Sequence, residues 1–501
     1  FRKGVTSSTS RTMKIQSVSM KTNHASSEQL ASLHPYFPEQ HAAFFAPDTD
    51  PYQVERAFGD RAIPKLAALL EFNELPHDSR STALRVMVAL TGDQNRKQEA
   101  IREGAVASCT GICARGVDDP SSAPSKVREQ ATLVLASLAS APQSQPRFDK
   151  SSTIAALTGT LQAEEVNVRE AAALALLNFS TSRAGTNMIV SCSQMEDVQT
   201  IKIMVQALIE PSALVSLYLV SALGNICRYN EGTSLALRAG IVEKLVELLL
   251  ATSDSNSEIA LSSSLSGTPA GTRLQTLNTM WNAGNHLRGK EELIESGGVE
   301  VITSALKDSS ADVRRCASGA LMALSVDEGG KTAIMEHSLQ ELPRLLLDDS
   351  DAVRTNARIA IVQASENRMA RFLFVQQLVQ TWPGQVSHSS ELILRVFGKT
   401  AAESLCELLV AKDSGEDERE RATTAINAIL LTLGDAGNNA VMSTLYITER
   451  LADRLKDTRE TTRQAATSAL SLLCGQHKYA RKVLKGLKLV GVPDELKTFV
   501  S

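Results

Sequence analysis

The chain has 501 residues, 43% of them apolar but only 4% aromatic, which is material for a long core of small side chains rather than rings. Its 52 basic and 56 acidic residues leave a net charge of −4, so no overall field draws it to nucleic acid or to an anionic membrane. No run approaches the roughly 18 consecutive apolar residues of a membrane span, and the seven scattered cysteines (109, 113, 192, 227, 316, 406, 474) form no Cys-x-x-Cys pair, which reads as buried free thiols in a reducing compartment.

Residues 1–27 are rich in Ser and Thr, carry Arg2, Lys3, Arg11, Lys14 and Lys21, and contain no acid. The composition is that of a transit peptide, but without an amphipathic stripe the expectation is a disordered basic tail. Residues 1–45 then form an extension ahead of a helical array over 46–501. The array opens Pro47-Asp48-Thr49-Asp50-Pro51, followed by Ala57-Phe58-Gly59 and Arg61-Ala62-Ile63-Pro64-Lys65-Leu66. Asp48 and Asp50 beside Pro51 predict a helix start, and Gly59 predicts a turn into the next helix.

From Arg80 onward one pattern recurs. A helix of small and apolar residues opens at Arg80, Ser216, Arg273 and Arg314, and a second helix start follows 24 residues later at Gly104, Gly240, Gly297 and Ser338 (104−80, 240−216, 297−273, 338−314). Apolar–Arg openings stand also at Val127-Arg128, Val168-Arg169 and Val353-Arg354, with looser copies at Arg419 and Arg463. Steps of 41, 41 and 40 residues (169−128, 314−273, 354−314) fit the armadillo and HEAT period. Ala131, Val134, Leu135 and Leu138 keep a helical spacing after one opening, and Ala171, Leu174 and Leu177 after the next. Asp308-Ser309-Ser310 and Asp348 to Asp351 predict N-terminal capping of the helices that follow. Leucine runs 245–250, 342–347 and 405–409 close other helices. Glycine at 104, 240 and 297 suits a tight turn between nearly perpendicular helices. Three helices with Gly in the short turn resemble the armadillo unit more than the two-helix HEAT unit. The fold class expected is therefore all-α, an armadillo-type superhelical solenoid of about nine three-helix repeats.

Two stretches interrupt the rhythm and are expected to be insertion loops: 251–272, rich in Ser and Gly with Pro269, and 381–390, with Trp382-Pro383-Gly384. The chain ends in a basic stretch, Lys478 to Lys488, suited either to a solvated capping face or to an acidic partner such as a tubulin surface.

Signatures of catalysis are weak. Gly330-Lys331-Thr332 and Gly398-Lys399-Thr400 mimic a phosphate loop, but the glycine needed five positions earlier is Ser325 or Ile393, and neither copy follows a strand; the first is expected in an inter-helix loop. The eight histidines show no metal-ligand spacing, and no Gly-x-Ser-x-Gly or Cys–His arrangement stands out. The expectation is a non-enzymatic chain with no cofactor, no metal and no small-molecule substrate.

One row points to binding. Asn178, Asn225 and Asn282 each lie nine residues after their opening (178−169, 225−216, 282−273), so they project from equivalent points of the same helix in three units. In armadillo proteins that helix lines the concave groove. In the importin-like members, which Ala222-Leu223-Gly224-Asn225-Ile226 resembles, Asn grips an extended peptide main chain, since its amide donates and accepts. That family's Trp, four residues earlier, is replaced here by Leu174, Ser221 and Asn278, while Trp281 stands beside Asn282. A simple polar lining of the groove is the equal alternative to a peptide-gripping ladder; the candidate partner-binding residues are Asn178, Asn225, Trp281 and Asn282.

The segment 47–70 is similar to the opening of the radial spoke head 14 homologue family, armadillo-repeat proteins of the ciliary axoneme, in which Pro-Asp-x-Asp-Pro precedes an aromatic-Gly-x-Arg-Ala and a Lys-Leu pair. The resemblance implies a structural, non-catalytic component of the radial spoke in the cilium or flagellum. It would dock other radial spoke proteins and doublet microtubule-associated proteins and support regulation of motility. A soluble armadillo-type adaptor for extended peptides of cargo or signalling partners is the alternative.

Overall fold

A computed structural model of the chain describes residues 50–500, apart from 72–74, 115–122, 142–147, 149–151, 254–268, 382–385, 399, 412–414, 445 and 488–491. The N-terminal extension lies outside the described residues. Among the described residues every regular element is a helix. Ten of them form a ladder: α1 (His77–Leu90), α2 (Ser125–Ala139), α3 (Val166–Ser180), α4 (Ala213–Ile226), α5 (Pro269–Gly284), α6 (Ala311–Leu324), α7 (Asp351–Ala364), α8 (Val386–Phe397), α9 (Glu416–Leu433) and α10 (Glu460–Gln476). Each packs on the next, and shorter helices back them from the other side. This is an armadillo-type solenoid. The N-terminal unit is Pro51–Phe58, Ala62–Leu70 and α1; the eighth and ninth rungs have one described backing helix each, Arg368–Thr381 and Thr400–Val410.

Local chemistry explains the shape of a unit. At the start, Asp50 caps Pro51–Phe58 by accepting from the Tyr52 N–H at 3.0 Å, and Gly59 leaves that helix at φ 54°. Between the two backing helices, Gly104, Gly240 and Gly297 sit at φ 86°, 76° and 73°, a left-handed turn open to glycine at little cost. Gln199 (φ 41°) and Tyr446 (φ 62°) hold the same turn with side chains attached, whereas Ser338 (φ −114°) manages it without a positive φ. A second set of glycines serves contact rather than dihedral. A Cβ on Gly232 would stand 2.6 Å from the Ile226 carbonyl oxygen, and one on Gly289 or Gly330 would run into the carbonyl of Ala283 or Leu324. There the first helix of a unit crosses the end of the preceding rung.

The core is a single strip along the stack. Leu84, Leu135, Leu176, Leu219, Leu277 and Leu321 are fully buried, one from each of the first six rungs. Small residues such as Ala131, Ala172 and Ala317 let the rungs approach closely. All seven cysteines are free and buried in this strip.

The insertions differ from expectation at their edges. Residues 251–253 extend the helix Ile241–Ser253, and 269–272 form the first turn of α5; residues 254–268 lie outside the described residues. In 381–390, residues 386–390 belong to α8, because buried Leu392 and Ile393 give that segment an apolar face to dock between α7 and α9.

Candidate functional site

The openings' arginines hold the rungs at a fixed spacing. Arg169 Nη1 donates to the carbonyls of Ala163 and Glu164 at 2.8 and 2.6 Å, closing the loop before its own rung, while Nη2 reaches Glu210 of the next unit at 3.0 Å. Arg314 repeats this with the carbonyls of Asp308 and Ser309 (2.9 and 3.0 Å) and the carboxylate of Asp348, its Nε at 2.6 Å. Arg128–Glu165 (3.1 Å) and Arg273–Asp308 (2.8 Å) are further steps. The acidic-serine stretches therefore act differently from simple caps. Asp308 and Asp348 accept the N–H of Ser310 and Ser350 (2.8 and 2.9 Å) just ahead of the helix and take the arginine of the previous unit. Neither Ser310 nor Ser350 makes a side-chain cap bond.

Asn178, Asn225 and Asn282 lie, as their spacing predicts, at one height on α3, α4 and α5, and all three are half-buried. Each Nδ2 donates to the preceding rung: Asn178 to the Ala136 carbonyl at 2.8 Å, Asn225 to Ser180 Oγ at 3.1 Å, and Asn282 to the Gly224 carbonyl at 3.0 Å. The side chains thus tie rungs together. An asparagine amide carries two N–H groups and a carbonyl oxygen, so one such tie does not exhaust its hydrogen-bonding capacity. Trp281 is half-buried, its ring laid on Gly319 of α6, where an added Cβ would sit 2.7 Å from the ring carbons. A glycine at that spot is what admits the indole, and the sequence pattern did not show it.

Around this row the surface is mixed. Tyr218 and Ser221 on α4 and Asn278 on α5 are half-buried, and Glu170 on α3 accepts from Ser212 at 2.6 Å. Burial, helped by the Glu170 charge, raises the Tyr218 phenol above its usual value, so it is a neutral donor at any physiological pH. Amides, hydroxyls and an aromatic face thus lie beside the carboxylate of Glu170.

The phosphate-loop mimics fit no phosphate. Gly330 is a crossing glycine inside the helix Glu328–His337, not the expected loop, and Lys331 pairs with Glu328 at 2.7 Å and with Glu366 at 2.5 Å. Gly398 takes a turn at φ 55°; Lys399 lies outside the described residues. Among the described residues no three His, Cys, Asp or Glu side chains converge on a metal-sized site, and no helix is long and apolar enough to cross a membrane.

The stack resembles solved structures of engineered and designed proteins. An engineered protein solved by the Northeast Structural Genomics Consortium matches with a TM-score of 0.55 and 19% identity over 87% of this chain and 97% of its own. A designed armadillo repeat protein matches at a TM-score of 0.44 with 20% identity over 52% of this chain and 99% of its own. A further designed armadillo repeat protein, solved with the peptide (KR)4, gives 0.43 with 19% identity over 52% of this chain and 99% of its own. No family model matches the sequence, and no curated protein does. The first likeness shows a shared fold, and the stack of helices described above is that of an armadillo-like repeat solenoid.

Proposed function

We propose that the chain is a non-catalytic scaffold of the ciliary radial spoke, built to be touched by other proteins along its length. The observation that carries a scaffolding role is the tied ladder: arginine–carboxylate steps and asparagine ties fix rung to rung from Asn178 to Asp348, giving a stiff body with a long side surface. The choice of the radial spoke rests on the motif in 47–70, of whose described residues Asp50 caps the first helix, Gly59 makes the turn after it and Lys65 lies over Phe58 (4.6 Å from Nζ to ring centre). Its partners are then other radial spoke proteins and doublet microtubule-associated proteins, and its place is the axoneme. Quantitative mass spectrometry of demembranated axonemes, with and without radial spokes, tests this. The chain is expected to stay with the doublets through detergent and to be depleted when spokes are missing; equal abundance in spokeless axonemes contradicts the assignment.

A second reading, a soluble adaptor gripping an extended peptide, is favoured by the row Asn178, Asn225 and Asn282 beside Trp281. Joint replacement of the three asparagines by Ala is expected to weaken capture of such a peptide partner. Unchanged capture by a folded triple variant removes this reading.

A further inference from the structure

The arginine ladder of the middle rungs stops at α7. On every rung from α2 to α6 that opens with Arg, the arginine finds an acid of the following unit: Arg128–Glu165, Arg169–Glu210, Arg273–Asp308, Arg314–Asp348. Arg354, which opens α7, meets no acid of the following unit among the described residues; the stretch just before α8 reads Thr381-Trp382-Pro383-Gly384-Gln385, and the side chain of Glu391 on α8 lies outside the described residues. It turns back instead to Asp351 of its own helix and to the Asp348 carbonyl.

A second irregularity falls on the same rung. Four residues after the other openings stand Leu84, Thr132, Ala173, Val220, Leu277, Ser318 and Thr423, all fully buried, and Thr467, half-buried on the last rung. On α7 that position is Arg358, and it is exposed. A long, exposed cation where the equivalent side chains are small or apolar and buried or half-buried is not explained by packing. Arg354, Thr355 and Arg358 line a small cleft with the exposed Arg395 of α8, over a floor that includes Leu346, Leu392 and Val396; among the described residues Asp351 at its edge is the carboxylate of the lining. None of the ion pairs among the described residues involves Arg358 or Arg395.

We infer that this cleft between α7 and α8 receives an acidic side chain of a partner protein, a carboxylate or a phosphoryl group, in the place where an acid of the next unit completes the ladder elsewhere. Guanidinium groups hold such planar or tetrahedral anions through paired, charge-assisted bonds, and the aliphatic floor accommodates the stem that carries them. The inference rests on the protein-scaffold reading and deepens it by naming what one contact recognises.

Fluorescence anisotropy with the full chain tests it. The probes are a labelled oligoglutamate peptide, a neutral peptide bearing one phosphoserine, and an oligoglutamine peptide of equal length. Binding of either anionic probe but not of oligoglutamine is expected, and whichever anionic probe binds tighter identifies the source of the anion. In Arg358→Glu/Arg395→Glu the affinity is expected to fall by about tenfold or more, with Arg358→Gln/Arg395→Gln intermediate. Arg288→Glu, at an exposed arginine on another helix, is expected to bind as the parent does. Equal binding of oligoglutamine, no binding of either anionic probe, unchanged affinity in the double variants, or preference for single-stranded RNA over both peptides overturns the inference. Because the asparagine row lies on α3 to α5, partner capture that persists without anionic-peptide binding overturns this site alone and leaves the scaffold standing.

Discussion

Arg314 shows how much one repeated residue does in this fold. Its side chain, 17% exposed, bonds both to the loop before its rung and to Asp348 of the next unit, so Arg314→Ala leaves carbonyls and a carboxylate short of a partner. A loss of roughly 1–3 kcal/mol is expected, read by urea denaturation at neutral pH. Burial pushes the Asp348 carboxyl up, but the bonds from Arg314 and the Ser350 N–H, with the charge of Arg354, outweigh it and hold the carboxyl below its ordinary value. A carboxyl lowered in the folded state contributes its full stability above the unfolded value of about 3.9 and loses it as pH falls through the folded value. The acid side of the stability profile is therefore expected to be shallower in Arg314→Ala than in the parent. Glycines sort by cause in the same way. Gly240→Ala meets open space at φ 76° and is expected to cost about 1–2 kcal/mol of backbone strain. Gly330→Ala drives a methyl into the Leu324 carbonyl and is expected to cost more, with thermal melts ranking the two. The thiols are inert by burial, which pushes Cys227 and Cys406 up to about 12. Thiol reagents are expected to label neither at neutral pH until the chain unfolds; rapid native labelling of Cys227 contradicts its burial.

At the scale of the helix, the sequence carried the period and the turns but not the partnerships. The step of 40 to 41 residues and the glycines at 104, 240 and 297 were legible because each is a local requirement, of helix length or of φ. That Arg169 meets Glu210 was not, since the two are 41 residues apart and only stacking brings them together. The asparagine row was legible as a register on one helix face. Its bonds to Ala136, Ser180 and Gly224 were not, because they belong to the neighbouring rung. Helix α8 was hidden by Trp382-Pro383-Gly384, which reads as a loop, while its apolar residues Leu392, Ile393 and Val396 begin later. The role of Gly319 as the seat of Trp281 is likewise a property of two rungs. An Asn282→Ala substitution is expected to cost about 1 kcal/mol through loss of its bond to Gly224, whatever its effect on a partner. Measuring stability beside capture separates the tie from the grip.

The whole molecule is a row of neighbour-to-neighbour contacts, and that follows from its composition: a chain with 4% aromatic residues fills a strip between thin helices and does not need a globular centre. Such a body offers side surface in proportion to its length, and the break at α7 interrupts a surface that is cross-paired on both sides of it, since Arg459 meets Asp417 and Glu420 of α9. A compact single domain of 501 residues would have a radius of gyration of about 23 Å. Small-angle X-ray scattering of the full chain in solution measures this directly. An extended stack is expected to give a value clearly above 23 Å with a long-tailed distance distribution, whereas a value at the compact figure with a symmetric distribution contradicts it.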